Sequence, residues 1–405
     1  MILDFRFAIV GDPHIGLPHT IWDHPSRFHL IEVSIPGLEQ IFQHLSHQSL
    51  DFLLLPGDLT QHGERDNHQW LSQRLRDLPF PVYVVPGNHD APNPEATDDR
   101  IGPQEFPKYY RHCGYDDTDQ LYYSRTILPG VRLIGLNSNQ FDDSGTLIGQ
   151  VDEAQLTWLQ QELEANCEEL VLVMIHHNIV EHLPNQSRHP LGKRYMLKNA
   201  KQLLSLLDQA QVPLIFTGHL HVQNIAPHIA PQISPGPGES QGNIPQSNIP
   251  ENHIQGNKLY EITTGSLVSY PHPYRICHFH QDAQGQRSLQ VESPRITALP
   301  QWPTLQETSR QWMGDRSHPF MMRMLTGAPL HLPEDRAAAL APHLRDFWAS
   351  IADGDVRYDF SDLPPEAQDY FAQFHTTDAA GNPVARDNNV MLFWPKLQTA
   401  PTPQR

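Results

Sequence analysis

Six short apolar runs dominate the first half of the chain, and they leave few folds open to it. They are "FRFAIV" (5–10), "DFLLL" (51–55), "VYVV" (82–85), "VRLIGL" (131–136), "ELVLVMI" (169–175) and "PLIF" (213–216). Several are apolar on both faces, as strands buried between two layers must be. Between the later runs lie amphipathic helical segments. "DEAQLTWLQQELEA" (152–165) sets Leu156, Leu159 and Leu163 along one face, with Asp152 placed as N-cap and Gln155 as its capping-box partner. "MLKNAKQLLSLLDQA" (196–210) has the same pattern. Strand and helix in alternation predict an α/β core whose strands are at least partly parallel.

The 405 residues exceed one typical domain, so elements beyond that core are expected. After residue 258 the pattern turns to β: "KLYEITTGSLVSY", then "YRICHFH" and "RSLQVES" joined by the turn "DAQG". From about Pro294 it becomes helical with proline interruptions, as in "PEDRAAALAPHLRDFWASIA" (333–352). Residues 294–405 are therefore expected to form a mainly helical appendage to a catalytic unit at 1–293. Trp302, Trp312, Phe320, Phe347, Trp348 and Trp394 would pack it, as plain structure, as a cap or as a homodimer surface. Residues 226–257 contain six prolines, no lysine or arginine and no aromatic, which predicts a flexible insertion without a core of its own. The "GESQG" within it (238–242) matches a hydrolase nucleophile motif, but no strand-to-helix turn surrounds Ser240 to make it one.

Composition narrows the function. With 28 basic and 46 acidic residues the formal charge is −18, which disfavours a nucleic-acid partner. It leaves room for a small anionic substrate if cations supply local positive charge. Cys113, Cys167 and Cys277 are far apart and contain no CxxC, so neither a disulfide framework nor a thiolate zinc site is expected, and a reducing cytoplasm fits. The N-terminal "MILDFRFAIV" reads as a first strand, and no apolar stretch is long enough for a membrane span.

The informative residues come at the ends of the runs. Asp12 and His14 follow the first, Asp58 the second, and Asn88, His89 and Asp90 the third. His176 and His177 follow the fifth, and His219 and His221 the sixth. The fourth ends in Asn137 and Ser138, which we take as ordinary loop polars. Ligands of α/β sheets gather at the carboxyl ends of strands, so these donors should converge. Oxygen and nitrogen donors without thiolate describe a site for hard-to-borderline divalent metals. There are too many for one four-coordinate ion, whereas two ions sharing a carboxylate accommodate them. Glycines before Asp12, Asp58, Asn88 and His219 would let the backbone bring the side chains close.

The order D-x-H, GD, GNHD, H, GHxH resembles that of the calcineurin-like metallophosphoesterases. "GDLTQHG", "VVPGNHD", "FTGHLH" and "EITTGSLVSYPHPYRI" are most similar to the branch with bacterial cyclic-nucleotide and glycerophosphodiester phosphodiesterases. The resemblance runs from residue 5 to about 292, apart from the proline-rich insertion. It implies two mixed β-sheets packed face to face with helices on the outside. It also implies two divalent metal ions: one held by Asp12, His14, Asp58 and His221, the other by Asp58, Asn88, His176 and His219. By the same resemblance His89 would face the scissile phosphate, with Asp90 behind it as an orienting group. The family's "HHPP" is "HHNI" here and its "SDxH" is "GDPH", though no ligand is lost. His177 is taken as a supporting histidine and not a ligand.

Two such cations lower the pKa of a bridging water and clamp phosphate oxygens, and a protonated His89 suits the leaving alkoxide. The expected activity is hydrolysis of a small phosphodiester by a metal-bridging hydroxide, with manganese, iron, zinc or cobalt as metal. A phosphomonoesterase or nuclease of the same fold is the alternative enzyme. A non-catalytic interaction scaffold is the alternative of another class, and the complete ligand set speaks against it.

Overall fold

The computed structural model describes residues 1–22, 24, 27–229, 258–355, 359–376 and 387–394. All six apolar runs become strands. The first three form β1 (Leu3–Ile9), β2 (Phe52–Leu55) and β3 (Val82–Val84), paired in parallel in that order. A strand that no apolar run announces, β4 (Tyr123–Leu128), precedes β5 (Val131–Gly135), the fourth run. A short ribbon of β6 (Asn139–Phe141) and β7 (Leu147–Gly149) follows. The last two runs are β8 (Leu170–Met174) and β9 (Leu214–Thr217), and β5, β8 and β9 are again parallel neighbours. Then come β10 (Asn224–Ile229), β11 (Lys258–Thr263), β12 (Arg275–Gln281), β13 (Arg287–Glu292) and β14 (Val390–Trp394).

Two mixed sheets result. One has the order β14-β13-β12-β1-β2-β3, the other β10-β11-β9-β8-β5-β4. Each is a parallel centre with antiparallel additions: β12 on β1 in the first, β4 on β5 in the second. The sheets meet through their apolar faces. Phe7 and Phe52 of the first stack with ring centroids 4.9 Å apart, and Phe7 meets Phe216 of the second edge-on at 5.4 Å. The helices Ser34–Ser46 and Arg65–Arg76 add Leu38, Ile41, Phe42 and Leu71 to this core. A separate layer packs Leu156, Leu159, Leu203 and Leu207, from the helices Glu153–Ala165 and Ala200–Gln209, on Ile134, Val173 and Ile215.

The capping box at Asp152 forms by half. Asp152 Oδ1 accepts from the Gln155 backbone N–H at 2.8 Å, as expected of an N-cap. The Gln155 side chain turns away and bonds both backbone groups of Asn137, at 2.8 and 2.9 Å. It thereby ties the helix to the loop after β5, a stronger use of a buried amide than a frayed helix end.

The described chain after Pro294 is mainly helical, and it is bound into the rest at several places, of which two are the most extensive. The helices Leu305–Thr326, Glu334–Leu340, Phe347–Asp353 and Pro365–Ala372 build a cluster around Phe320, Met321 and Phe347. Leu220 and Val222, from the loop after β9, are buried in it. β14 then pairs antiparallel with β13 and places Trp394 in the main core. The proline-rich segment begins later than its composition suggests, since residues 226–229 belong to β10, where Ile229 pairs with Lys258. Its remainder, with Ser240, lies outside the described residues. Among the described residues no helix is long and apolar enough to cross a membrane.

Candidate metal centre

The carboxyl ends of β1, β2, β3, β8 and β9 open into one locus where the two sheets meet. The backbone there is strained. Five of the seven expected metal donors, Asp12, His14, Asp58, His219 and His221, have positive φ, between 41° and 67°. Non-glycine residues seldom adopt this conformation, and surrounding structure must hold them in it, which is typical of functional sites. Of the preceding glycines, Gly57 alone is left-handed, at φ 95°. Gly87 and Gly218 serve a different need. A Cβ on Gly87 would collide with the Asp58 carboxylate and backbone, and one on Gly218 with the Asp12 carboxylate. Their lack of a side chain admits the acids, and the ligand residues themselves make the turns.

Two overlapping groups of donors result. Asp12, His14, Asp58 and His221 each have a donor atom within 4.8 Å of the others, and so do Asp58, His176 and His219. Asp58 belongs to both: its Oδ2 is 3.7 Å from His14 Nε2 and 3.4 Å from His176 Nε2. Asn88 joins the second group through Oδ1, 3.0 Å from His176 Nε2. His14 and His221 point their Nε2 atoms at one another across 3.3 Å. The His176 Nδ1–H donates to the Pro56 carbonyl at 2.9 Å, which turns Nε2 to the centre.

The electrostatics fit bound cations. Asp12 and Asp58 are essentially fully buried, and among the described residues neither has an arginine or lysine partner. Two such carboxylates side by side are costly unless positive charge joins them. Burial holds His14 and His219 well below the ordinary histidine range, in the neutral form a ligand needs. Burial also opposes charge on His176, but Asp58 outweighs it and lifts that ring to about 9. The proton on His176 thus does for Asp58 what a cation would do. A divalent pair in these two groups would be held by Asp12, His14, Asp58 and His221 on one side and by Asp58, Asn88, His176 and His219 on the other.

His89 stands at the rim. Its backbone N–H donates to Asp58 Oδ1 at 2.8 Å, and its ring Nδ1 bonds the Gln61 carbonyl at 2.7 Å, leaving Nε2 toward the cleft. Asp90 departs from its expected place behind that ring. It accepts from the backbone N–H groups of Gly87 (2.8 Å) and Thr60 (2.9 Å), holding together the loops that carry Asn88 and Asp58. Burial first, then Asp58, raises its pKa to about 7. His177 is buried beside the centre, its ring 4.2 Å from that of His219 and its Nδ1 2.8 Å from Ser138 Oγ. Ser138, set aside above as a loop polar, thus orients a buried histidine.

Two residues here carry no signal in the sequence. His29 follows no apolar run, yet its ring stacks on His14 at 4.9 Å and its nitrogen joins those of His14 and His221 within 4.8 Å. Glu261, on β11, is fully buried and gathers the loop after His176. It accepts from the N–H groups of Ile179 (3.0 Å) and Val180 (2.6 Å) and from Thr217 Oγ1 (2.8 Å), with His182 Nε2 3.0 Å away. Above the centre lies a cleft of about 580 Å³, whose walls include Phe28, Tyr195, Phe320 and Trp348.

Comparison with known proteins gives consistent matches. The family description "Calcineurin-like phosphoesterase" matches residues 5–223. A protein named probable cyclic nucleotide phosphodiesterase from Moraxella catarrhalis is 28% identical over 200 residues, 48% of this chain and 66% of that protein. A probable glycerophosphodiester phosphodiesterase from Arcobacter nitrofigilis is 29% identical over 176 residues, 42% of this chain and 56% of that one. The alignments thus span just over half to two thirds of these relatives. A dimetal phosphatase from Danio rerio superposes with a TM-score of 0.47 at 14% identity, covering 72% of this chain and 96% of that one.

Proposed function

Since the chain belongs to the calcineurin-like phosphoesterases, we propose that it is a two-metal hydrolase of small phosphodiesters, of the cyclic-nucleotide or glycerophosphodiester kind. The observation that carries this reading is the position of Asp58, one buried carboxylate within reach of both donor groups. Two divalent ions held there supply Lewis-acid polarisation of the phosphate and acidify water near neutral pH. The chain's own part follows from the geometry. Asp12, His14, Asn88, His176, His219 and His221 would hold the ions together with Asp58 and so set where the scissile phosphate binds. His89 presents Nε2 to the cleft and gives its proton to the departing alkoxide, while the Gln61 carbonyl keeps the ring oriented. Asp90 is a positioning residue that keeps the Asp58 and Asn88 loops in register. Gln155 and Glu261 pin the neighbouring loops.

The helices after Pro294 act as a cap, because Phe320, Arg323 and Trp348 stand in the wall of the cleft. A site of this volume takes a nucleoside or glycerol headgroup, and the charge of −18 favours such a substrate over nucleic acid. Cytoplasmic residence remains part of the reading, on the sparse cysteines. The test is to strip the protein with chelator and reload it with manganese, iron, zinc or cobalt in turn. Each form is then assayed on 3′,5′-cyclic AMP, glycerophosphodiesters and aryl monoesters. Metal-dependent turnover led by diesters is expected; activity that survives chelation or favours monoesters overturns it.

A further inference from the structure

The charged side chains that line the cleft are few. Asp58 belongs to the metal centre, and Arg27 is engaged by Glu32, with Nη2 2.8 Å from Oε1. Arg194 and Arg323 differ. Both are exposed in the cleft wall, and among the described residues no carboxylate lies within ion-pair distance of either. In a chain with 46 acidic residues against 28 basic ones, carboxylates were not in short supply.

Each guanidinium is set on a supported element. Arg194 lies 4.6 Å over the Tyr195 ring, and that ring packs 5.1 Å from the ring of His219. Tyr195 thus contacts both Arg194 and the metal centre. Arg323 stands one turn beyond Phe320 on the helix Leu305–Thr326, and Phe320 packs on Trp348 at 5.1 Å. The cap and the loop after β8 thus each bring one arginine to the same cleft.

Arg194 also donates to the Tyr195 hydroxyl, a neutral partner. The scissile phosphate meets its countercharge at the metal centre, so a substrate with a single phosphate leaves both guanidiniums without an anionic partner. Guanidinium is the side chain that best matches carboxylate or phosphate oxygens. We propose that Arg194 and Arg323 form a second anion subsite, selecting phosphodiesters whose organic group carries a further carboxylate or phosphate. This rests on the phosphodiesterase reading, and its test separates the two.

The probes are glycerophosphoserine and glycerophosphoethanolamine, which differ by one carboxylate. Their affinities for the metal-loaded protein are measured by calorimetry and their turnover by steady-state kinetics. Wild type, Arg194→Gln, Arg323→Gln and the double variant are compared, with melting temperature checked for each. Wild type should bind the serine ester about tenfold more tightly, the factor of one charge-assisted hydrogen bond. The double variant should bind the two alike, with turnover of an aryl diester unchanged and Arg194→Lys retaining part of the preference. No preference in wild type, or a preference that survives in the double variant, overturns the subsite. If wild type binds selectively but hydrolyses neither ester, the subsite stands and the proposed reaction falls. If both esters are hydrolysed equally, whatever stands at 194 and 323, the reaction stands and the subsite falls.

Discussion

Asp58 lies between two groups of imidazoles, accepts the His89 backbone N–H, and is buried with no arginine or lysine partner among the described residues. Replacing it with alanine should release both ions and abolish hydrolysis, while circular dichroism stays close to wild type. Full metal content by elemental analysis in Asp58→Ala would rule out a shared carboxylate. His89 offers the complementary test, because it touches the centre through its backbone while its ring faces the cleft. His89→Ala should keep its metals but lose roughly two to four orders of magnitude in kcat on alkyl or nucleoside diesters. An activated aryl diester, whose leaving group needs no proton, should lose much less. Equal losses on both substrates would make His89 a positioning residue only.

At the level of elements, β11 does more than extend a sheet. It pairs in parallel with β9 and presents Glu261 to the loop that leaves β8, so the His176 and His219 strands share one buried carboxylate as a brace. Burial alone would raise the Glu261 pKa; His182 and the backbone and hydroxyl donors outweigh it and hold the group below the ordinary glutamate range. A folded-state pKa below the unfolded one gives stability that is fully present above the unfolded value, about 4.3. That stability is lost as pH falls through the lower folded value. Glu261→Gln should therefore cost about 3 kcal/mol at neutral pH, as breaking a buried polar pair does. The difference in melting temperature between wild type and variant should stay constant down to about pH 5 and shrink below about pH 4.3. A gap that widens on acidification would contradict the brace.

Over the whole molecule, the described residues after Pro294 are bound to the catalytic core and do not hang from it. Leu220, between the two histidines of the β9 loop, is buried with Phe320, Met321 and Leu325 of the C-terminal helices, and β14 closes the edge of the first sheet. A chain ending at residue 293 should expose both the β13 edge and this apolar surface. Such a truncation is expected to aggregate or to unfold without cooperativity, against a single sharp transition in the full chain. A soluble, cooperatively folding 1–293 fragment with full metal content would show that the cap is dispensable for the centre.

The reach of the sequence follows from which interactions are local. Buried parallel strands must be apolar on both faces, so the six runs announced β1, β2, β3, β5, β8 and β9, and polar residues at their ends announced the donors. Period and termini are properties of neighbouring residues, and they are written along the chain. β4, half-polar at a sheet edge, and β10, inside a proline-rich stretch, lack that period and were not visible. Pairings between distant residues were equally hidden. Nothing near Gln155 points to Asn137, nothing near Ser138 to His177, and nothing in "RFHL" brings His29 onto His14. The close approach of Gly87 to Asp58 and the left-handed backbone of the ligands also depend on strand ends that only the folded sheets bring together. The donor types and their order belonged to the sequence, because metal chemistry and strand ends are local. The braces, the cap and the two arginines in the cleft were decided by tertiary packing, which alone brings residues 194 and 323 to the wall of one cleft.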